Sequence, residues 1–257
     1  MCYGADSRPP IAPIAGAAVD SELLELESTD GSAFLAFAAD APEPSGAGML
    51  ILPDVRGLHT FYQELALRLA EAGVDALAID YFGRTAGTAP RPADFDHMPH
   101  VQGARYPQLL DDIRAGVAAL RARHDQIRAV VSVGFCFGGR LAFLTASRPE
   151  LRLAGAIGFY GVPVGQGRAE MPSPADLAAE MRAPVLGLFG GDDPGIPADS
   201  VEQFERALTE AGVEHELVTY AGAPHSFFDR KAEQFAAESA DAWRRVREFA
   251  ARHTPPN

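Results

Sequence analysis

The sequence predicts an α/β fold: a mostly parallel, eight-stranded sheet with helices on both faces. Three observations predict it. Short apolar runs alternate along the chain with amphipathic stretches of helical length. Residues 127–133 are rich in β-branched side chains and run straight into a helical segment at Phe137. No composition break divides the 257 residues, a length that suits one α/β domain.

The elements follow in order. Residues 1–19 are rich in Pro, Gly and Ala without periodicity and read as an arm; residues 20–257 form the single domain. Leu23, Leu24 and Leu26 lie among polar residues as a first strand, Thr29-Asp30-Gly31 gives a turn, and residues 33–38 return, an antiparallel hairpin. Residues 49–52 predict a strand buried on both faces. Residues 60–72 predict a helix, with Thr60 and Gln63 as a capping box and Gly73 as its stop. Residues 75–79 are the next strand. Residues 81–106 mix Gly, Pro and His in a long irregular stretch of the kind that serves as a lid. Helices over 106–123, 137–147, 175–181, 200–211 and 231–252 alternate with strands over 127–133, 153–159, 185–189 and 216–220. Ser200 and Gln203 are suited to cap the helix they open.

Composition excludes several classes. The net charge of −13 opposes binding to nucleic acid or to an anionic membrane, both of which require clustered Lys and Arg. Cys2 and Cys136 are the only cysteines, too few for a disulfide scaffold or a multi-cysteine zinc site. No window reaches the roughly 18 apolar residues of a membrane span, and the first residues lack a signal-peptide core. The expected setting is reducing and cytoplasmic, as a monomer or homodimer. His97 and His100, with Asp94 and Asp96 nearby, have loose metal-ligand spacing, but Pro99 interrupts any helix there. They read as lid residues, and the sequence implies no metal or organic cofactor.

The chemistry is carried by Gly134-Phe135-Cys136-Phe137-Gly138-Gly139. A strand, a tight turn with a nucleophilic side chain flanked by glycines, and a helix make a nucleophile elbow, here with Cys in the serine position. Side chains at 134 and 138 would collide with the turn. A thiol at a helix N-terminus is favoured as thiolate by the positive end of the dipole. Such a nucleophile requires a base, and the base an orienting acid, in the chain order nucleophile, acid, histidine. The strand at 185–189 ends in Gly190-Gly191-Asp192-Asp193, and the last strand leads to Ala223-Pro224-His225. Asp193, with Asp192 as the alternative, and His225 fill the two roles.

With these motifs, and Tyr160-Gly161-Val162 and His225-Ser226-Phe227, the sequence from about Leu50 to Phe249 resembles the dienelactone hydrolases (carboxymethylenebutenolidases) of the α/β-hydrolase superfamily. The resemblance implies an α/β-hydrolase fold and a hydrolase of lactones or activated carboxylic esters. It implies Cys136 as nucleophile, His225 as base and Asp193, the acid closing the Gly-Gly-x-Asp run, as orienter, with a thioester intermediate. It places the oxyanion hole at the backbone N–H groups of Phe137 and Val55. Arg84 aligns with a family arginine that binds a substrate carboxylate, and Asp54 stands where the family has a glutamate in contact with the cysteine. Tyr160 and Ser226 are the other expected substrate contacts, and His59 an expected pocket residue. The family's second arginine falls at Asp229, with Arg230 following. The implied partner is a small lactone or ester, with a carboxylate-bearing one included. A broader carboxylesterase or thioesterase, and a ligand-binding sensor on the same fold, are the alternatives.

Overall fold

The structure is a computed structural model and describes residues 7–14, 19–92, 94–229 and 231–256. Cys2 and Arg230 lie outside the described residues. The hairpin strands β1 (Asp20–Glu27) and β2 (Ala33–Asp40) are antiparallel. Gly31 closes their turn at φ +80°, its N–H donating to Ser28 O. The chain continues as β3 (Ala47–Leu52), α1 (Thr60–Glu71), β4 (Val74–Ile79), α2 (Gly83–Ala86), α3 (Met98–Gly103) and α4 (Tyr106–Arg123). Then follow β5 (Ala129–Phe135), α5 (Phe137–Thr145), β6 (Gly155–Phe159), β7 (Val185–Gly190), α6 (Ala198–Glu210), β8 (His215–Tyr220) and α7 (Ala236–Arg252).

The eight strands form one sheet in the order β1-β2-β4-β3-β5-β6-β7-β8. From β4 to β8 every neighbouring pair is parallel; β1–β2 and β2–β4 are antiparallel. Period-two alternation splits the central strands between two apolar layers. Met49 and Ile51 of β3 pack with Phe61, Tyr62 and Leu65 of α1. Leu50 and Leu52 pack with Leu109, Ile113 and Val117 of α4. Strands covered on both faces read as continuous apolar runs, as those of β3 and β5 do. Of the arm, Ile14 donates its N–H to Glu71 (3.0 Å) and Ile11 packs against the core.

Four local expectations are corrected. Thr60 is the first residue of α1 rather than its cap; His59, in extended conformation, is the N-cap, with no side-chain cap. Helix α6 starts two residues before Ser200, because Pro197 presents the extended N-cap backbone. Helix α7 starts at Ala236 rather than 231, since the Lys231 N–H turns back to Ser226 O. Residues 175–180 form a 3₁₀ rather than an α-helix. The 81–106 stretch contains α2 and α3 and is pinned to the body. Arg91 binds Asp80 (2.5 Å) and the carbonyls of Ala86, Gly87 and Ala89.

The register aligns the carboxyl ends of the parallel strands. Leu52 pairs with Gly134, Phe135 with Phe159, Phe159 with Leu188, and Gly190 with Tyr220. Val55, Cys136, Tyr160, Asp193 and His225 each follow one of these ends within a few residues. The crevice outside the carboxyl ends of an open parallel sheet is where ligands bind.

His59 ties this fold to pH. It is buried, and burial, then the charge of Arg56, lower its pKa to about 4. The unfolded chain therefore takes up a proton below its ordinary value of about 6.5 that the folded chain refuses. The stability His59 contributes is complete above that value and is lost as pH falls toward 4. We expect this site to cost about 2 kcal/mol of stability between about pH 7 and pH 5. Urea midpoints across that range should show His59→Gln removing this slope.

Candidate active site

Cys136 stands between β5 and α5 with φ 55° and ψ −110°. This is a positive-φ conformation that L-residues avoid and that persists only where the surroundings enforce it. Here the Cys136 N–H donates to Phe159 O (3.0 Å) and its carbonyl accepts from Arg140 N–H (3.1 Å). The glycines two residues to either side are sterically obligatory. A Cβ on Gly134 would lie 1.9 Å from Gly138 O, and one on Gly138 would lie 2.0 Å from Leu52 O. The thiol is free and part-exposed.

His225 follows β8, and its Nδ1 lies 2.6 Å from Asp193 Oδ2. The other Asp193 oxygen accepts from Gly195 N–H (2.9 Å). Asp193 is buried and neighbouring Asp192 is exposed, so the turn presents the second acid, not the first, to the imidazole. The Tyr160 ring packs 4.8 Å from that of His225, and its hydroxyl donates to Asp229 (3.0 Å).

A cavity of about 260 Å³ opens over Cys136, and Val55, Phe137 and Tyr160 also line it. Phe137 is the first residue of α5, whose N–H has no intrahelical acceptor. Neither its N–H nor that of Val55 donates to a protein acceptor among the described residues. The loop carrying Val55 is fixed from several sides. Asp54 N–H donates to Tyr62 Oη (2.8 Å), Asp54 Oδ1 accepts from Arg56 N–H (2.8 Å), Leu58 N–H donates to Asp80 (3.1 Å), and Tyr81 Oη donates to Pro53 O (3.0 Å).

The structure therefore brings Cys136, Phe137, Val55 and Tyr160 to one cavity, and the His225–Asp193 pair adjoins Tyr160. Other expected contacts are placed elsewhere. Arg84 is not in this cavity: its guanidinium binds Asp112 (2.6 Å) and Asp30 (2.9 Å). Asp112 is buried, which raises its carboxyl pKa, so it requires that cation. Asp54 is wholly buried, its Oδ1 accepts from the Arg56 N–H, and it is not among the residues that line the cavity. Ser226 is also buried, at φ 66°, and forms the turn behind His225. His59 lines a different cleft, with Leu58 and Arg91. No described residue of the 81–106 stretch is among those lining the cavity.

Residues 162–171 form that wall instead. Arg140, buried in α5, organises it. Its terminal nitrogens donate to the carbonyls of Val162 (2.9 Å), Val164 (3.2 Å), Met171 (3.3 Å), Pro172 (2.6 Å) and Gly165. Burial lowers its pKa to about 10, still leaving it charged at neutral pH. Gly167 is required here, because a Cβ would sit 2.6 Å from Arg140 Nε. The only sequence signal was an arginine directly after the glycine pair, without an acid in sight to balance it.

Sheet order, strained elbow and histidine–aspartate pair together define a hydrolase of the α/β-hydrolase fold. Comparison with known proteins makes the assignment specific. The sequence profile of the dienelactone hydrolase family matches residues 33–254, and the chain belongs to that family. A "Putative carboxymethylenebutenolidase" of Methylorubrum extorquens is 32% identical over 207 residues, covering 78% of this chain and 70% of the relative. A Bradyrhizobium protein named "Probable 2-oxo-3-(5-oxofuran-2-ylidene)propanoate lactonase" is 31% identical over 225 residues, covering 82% and 87%. The crystal structure of a "Putative Dienelactone Hydrolase" from Klebsiella pneumoniae superposes with a TM-score of 0.78 at 28% identity, covering 91% of this chain and 99% of that one. Among the described residues no helix is long and apolar enough to cross a membrane.

The position of Arg84 yields a prediction. Arg84→Ala strands the buried Asp112 carboxylate and should lower the unfolding free energy by about 3 kcal/mol. Urea denaturation reads this directly; a loss below about 0.5 kcal/mol, the size of an ordinary surface substitution, would contradict the structural role.

Proposed function

We propose that this enzyme hydrolyses small lactones or activated carboxylic esters through a Cys136 thioester. The single observation that carries the reading is the short Asp193–His225 hydrogen bond beside the cavity that holds Cys136. With Nδ1 engaged by Asp193, the mechanism assigns proton exchange with sulfur or water to Nε2. The cavity volume of about 260 Å³ falls below the usual drug-sized range of roughly 300–1,000 Å³, which favours a small lactone over a peptide. An unsaturated lactone is also the compound in the name of the Bradyrhizobium relative.

In this mechanism His225 takes the Cys136 proton and the thiolate attacks the carbonyl carbon. The carbonyl oxygen becomes an oxyanion held by the N–H groups of Val55 and Phe137, each worth roughly 3 kcal/mol in comparable acyl transfers. Collapse expels the alkoxide or enolate, which takes the proton from His225. A thioester to Cys136 remains. Water, deprotonated by His225, attacks it; the thiolate leaves, the acid is released and the proton returns to sulfur. Thiolate is itself a good leaving group, so the enzyme favours substrates whose own leaving group is stabilised, such as an enolate or a nitrophenolate. A reducing cytoplasm keeps Cys136 in the thiol form that the cycle requires.

Turnover of p-nitrophenyl acetate and of a dienelactone tests the reading. Cys136→Ala should fall to background, and His225→Ala should lose about a thousandfold or more in kcat/KM. Mass spectrometry of the His225→Ala protein mixed with p-nitrophenyl acetate should find an acetyl group on Cys136. Normal turnover by the Cys136→Ala protein would falsify the covalent route.

A further inference from the structure

We propose that Asp40, Asp75 and His124 form a binding site for a divalent transition-metal ion, at the end of the sheet opposite Cys136. The inference is independent of the hydrolase reading. It begins from strand register. In the β2–β4 ladder Ala39 pairs with Ala76, so one step further on Asp40 and Asp75 stand side by side on neighbouring strands. Helix α4 ends beside them, with His124 as its C-cap. One ligand atom from each of the three side chains, a carboxylate oxygen or an imidazole nitrogen, lies within 4.8 Å of the other two. Around a cation with ligand bonds of about 2.1 Å such atoms stand roughly 3–4 Å apart, so the three need close in by only about an ångström.

A second, independent observation is the state of Asp75. It is fully buried. Its Oδ1 accepts the Ala41 N–H (2.9 Å), while Oδ2, also buried, has no hydrogen-bond partner. Neither protonation state satisfies that oxygen. Ionised, it carries buried charge that no hydrogen bond offsets; protonated, it carries an O–H without an acceptor. A cation at Oδ2 resolves both.

Local charge favours the same occupant. Asp20 stands opposite Asp40 in the β1–β2 ladder, and like charges directly opposite destabilise a sheet. Arg123 binds both oxygens of Asp40 (2.6 and 2.5 Å) and also Glu22 (3.1 Å). One guanidinium thus serves a group of four acids, Asp20, Glu22, Asp40 and Asp75. The negative end of the α4 dipole adds to the deficit. His124 Nε2 lies 3.3 Å from Asp40 Oδ1, and the ion takes the place of the proton between them, with the ring proton on Nδ1. Arg123 and the Ala41 N–H then orient the two carboxylates from behind. The imidazole selects the class of ion: a nitrogen with two carboxylates suits Zn2+, whereas Mg2+ prefers oxygen alone. Asp75 lies at the amino end of β4 and the Cys136 crevice at the carboxyl ends, so the ion is structural. It ties β2 and β4 to the helix that covers them.

The test reads binding, not turnover, and uses the Cys136→Ala protein to remove the thiol as a competing zinc ligand. After treatment with a chelator, calorimetry should find one Zn2+ per chain, and Tm should rise by about 5 °C at a hundredfold excess over Kd. Asp75→Asn and His124→Ala should each weaken binding about tenfold or more. His124 is part-exposed and outside any helix or strand, so its variant decides the matter even where Asp75→Asn fails to fold. Mg2+ should bind about tenfold more weakly than Zn2+, or worse. A crystal soaked in Zn2+ should show its anomalous peak between the three side chains. No Zn2+ binding, binding unchanged by His124→Ala, Mg2+ bound as tightly as Zn2+, or Zn2+ seated only elsewhere would each overturn the proposal.

Discussion

The constraint on which the site depends is steric: β5 turns into α5 so tightly that only glycine fits on either side of Cys136. Gly134 lies against the Gly138 carbonyl and Gly138 against the Leu52 carbonyl. These approaches bring β3, β5 and α5 together at one point. They hold Cys136 at φ 55°, and the same contact between Gly138 and Leu52 brings the Val55 loop alongside the start of α5. The thiol and the two backbone N–H groups assigned to the oxyanion hole are consequently positioned by one packing event. Backbone strain of this type costs on the order of 1–3 kcal/mol, and the buried apolar layers on both faces of the sheet absorb it.

Around that elbow the arginines divide by what neutralises them. Arg84 and Arg91 are matched by buried carboxylates, Asp112 and Asp80, and hold the 81–106 segment to the body. The terminal nitrogens of Arg140 are satisfied by carbonyl dipoles, which hydrogen-bond a guanidinium without cancelling its charge. A buried acid in their place would make the cavity neutral. The positive potential at the cavity wall follows from that choice of partner, and the fold of the 162–172 segment depends on the same hydrogen bonds.

How much of this was legible in the sequence depended on the distance over which the information travels. Strand and helix alternation, the Gly-x-Cys-x-Gly-Gly turn and the position of His225 after the last strand are written in neighbouring residues, and all appear where expected. The eight strands and the two-sided layering followed. Helix starts were less legible: Thr60 and Ser200 have capping chemistry, but His59 and Pro197 set the backbone angle first. Long-range ion pairs were not legible at all. Arg84 was expected in the substrate pocket because nothing local reveals that Asp30 and Asp112, 54 and 28 residues away, converge on it. The wall at 162–171 was missed for the same reason, since its organiser, Arg140, lies in a different element and grips backbone carbonyls, which leave no mark on the sequence.

Asp54 shows what such hidden contacts do to inferences from resemblance. The family's glutamate at this position was taken to meet the cysteine, and the shorter aspartate put that meeting in question. In this chain Asp54 Oδ1 accepts the Arg56 N–H two residues on, closing an Asx-type turn inside its own loop. An aspartate is suited to that bond by its single methylene; a glutamate carboxylate extends past it. One of the two Asp54 oxygens thus serves the backbone that carries Val55. On the proposed mechanism this bond contributes to catalysis through the placement of the Val55 N–H.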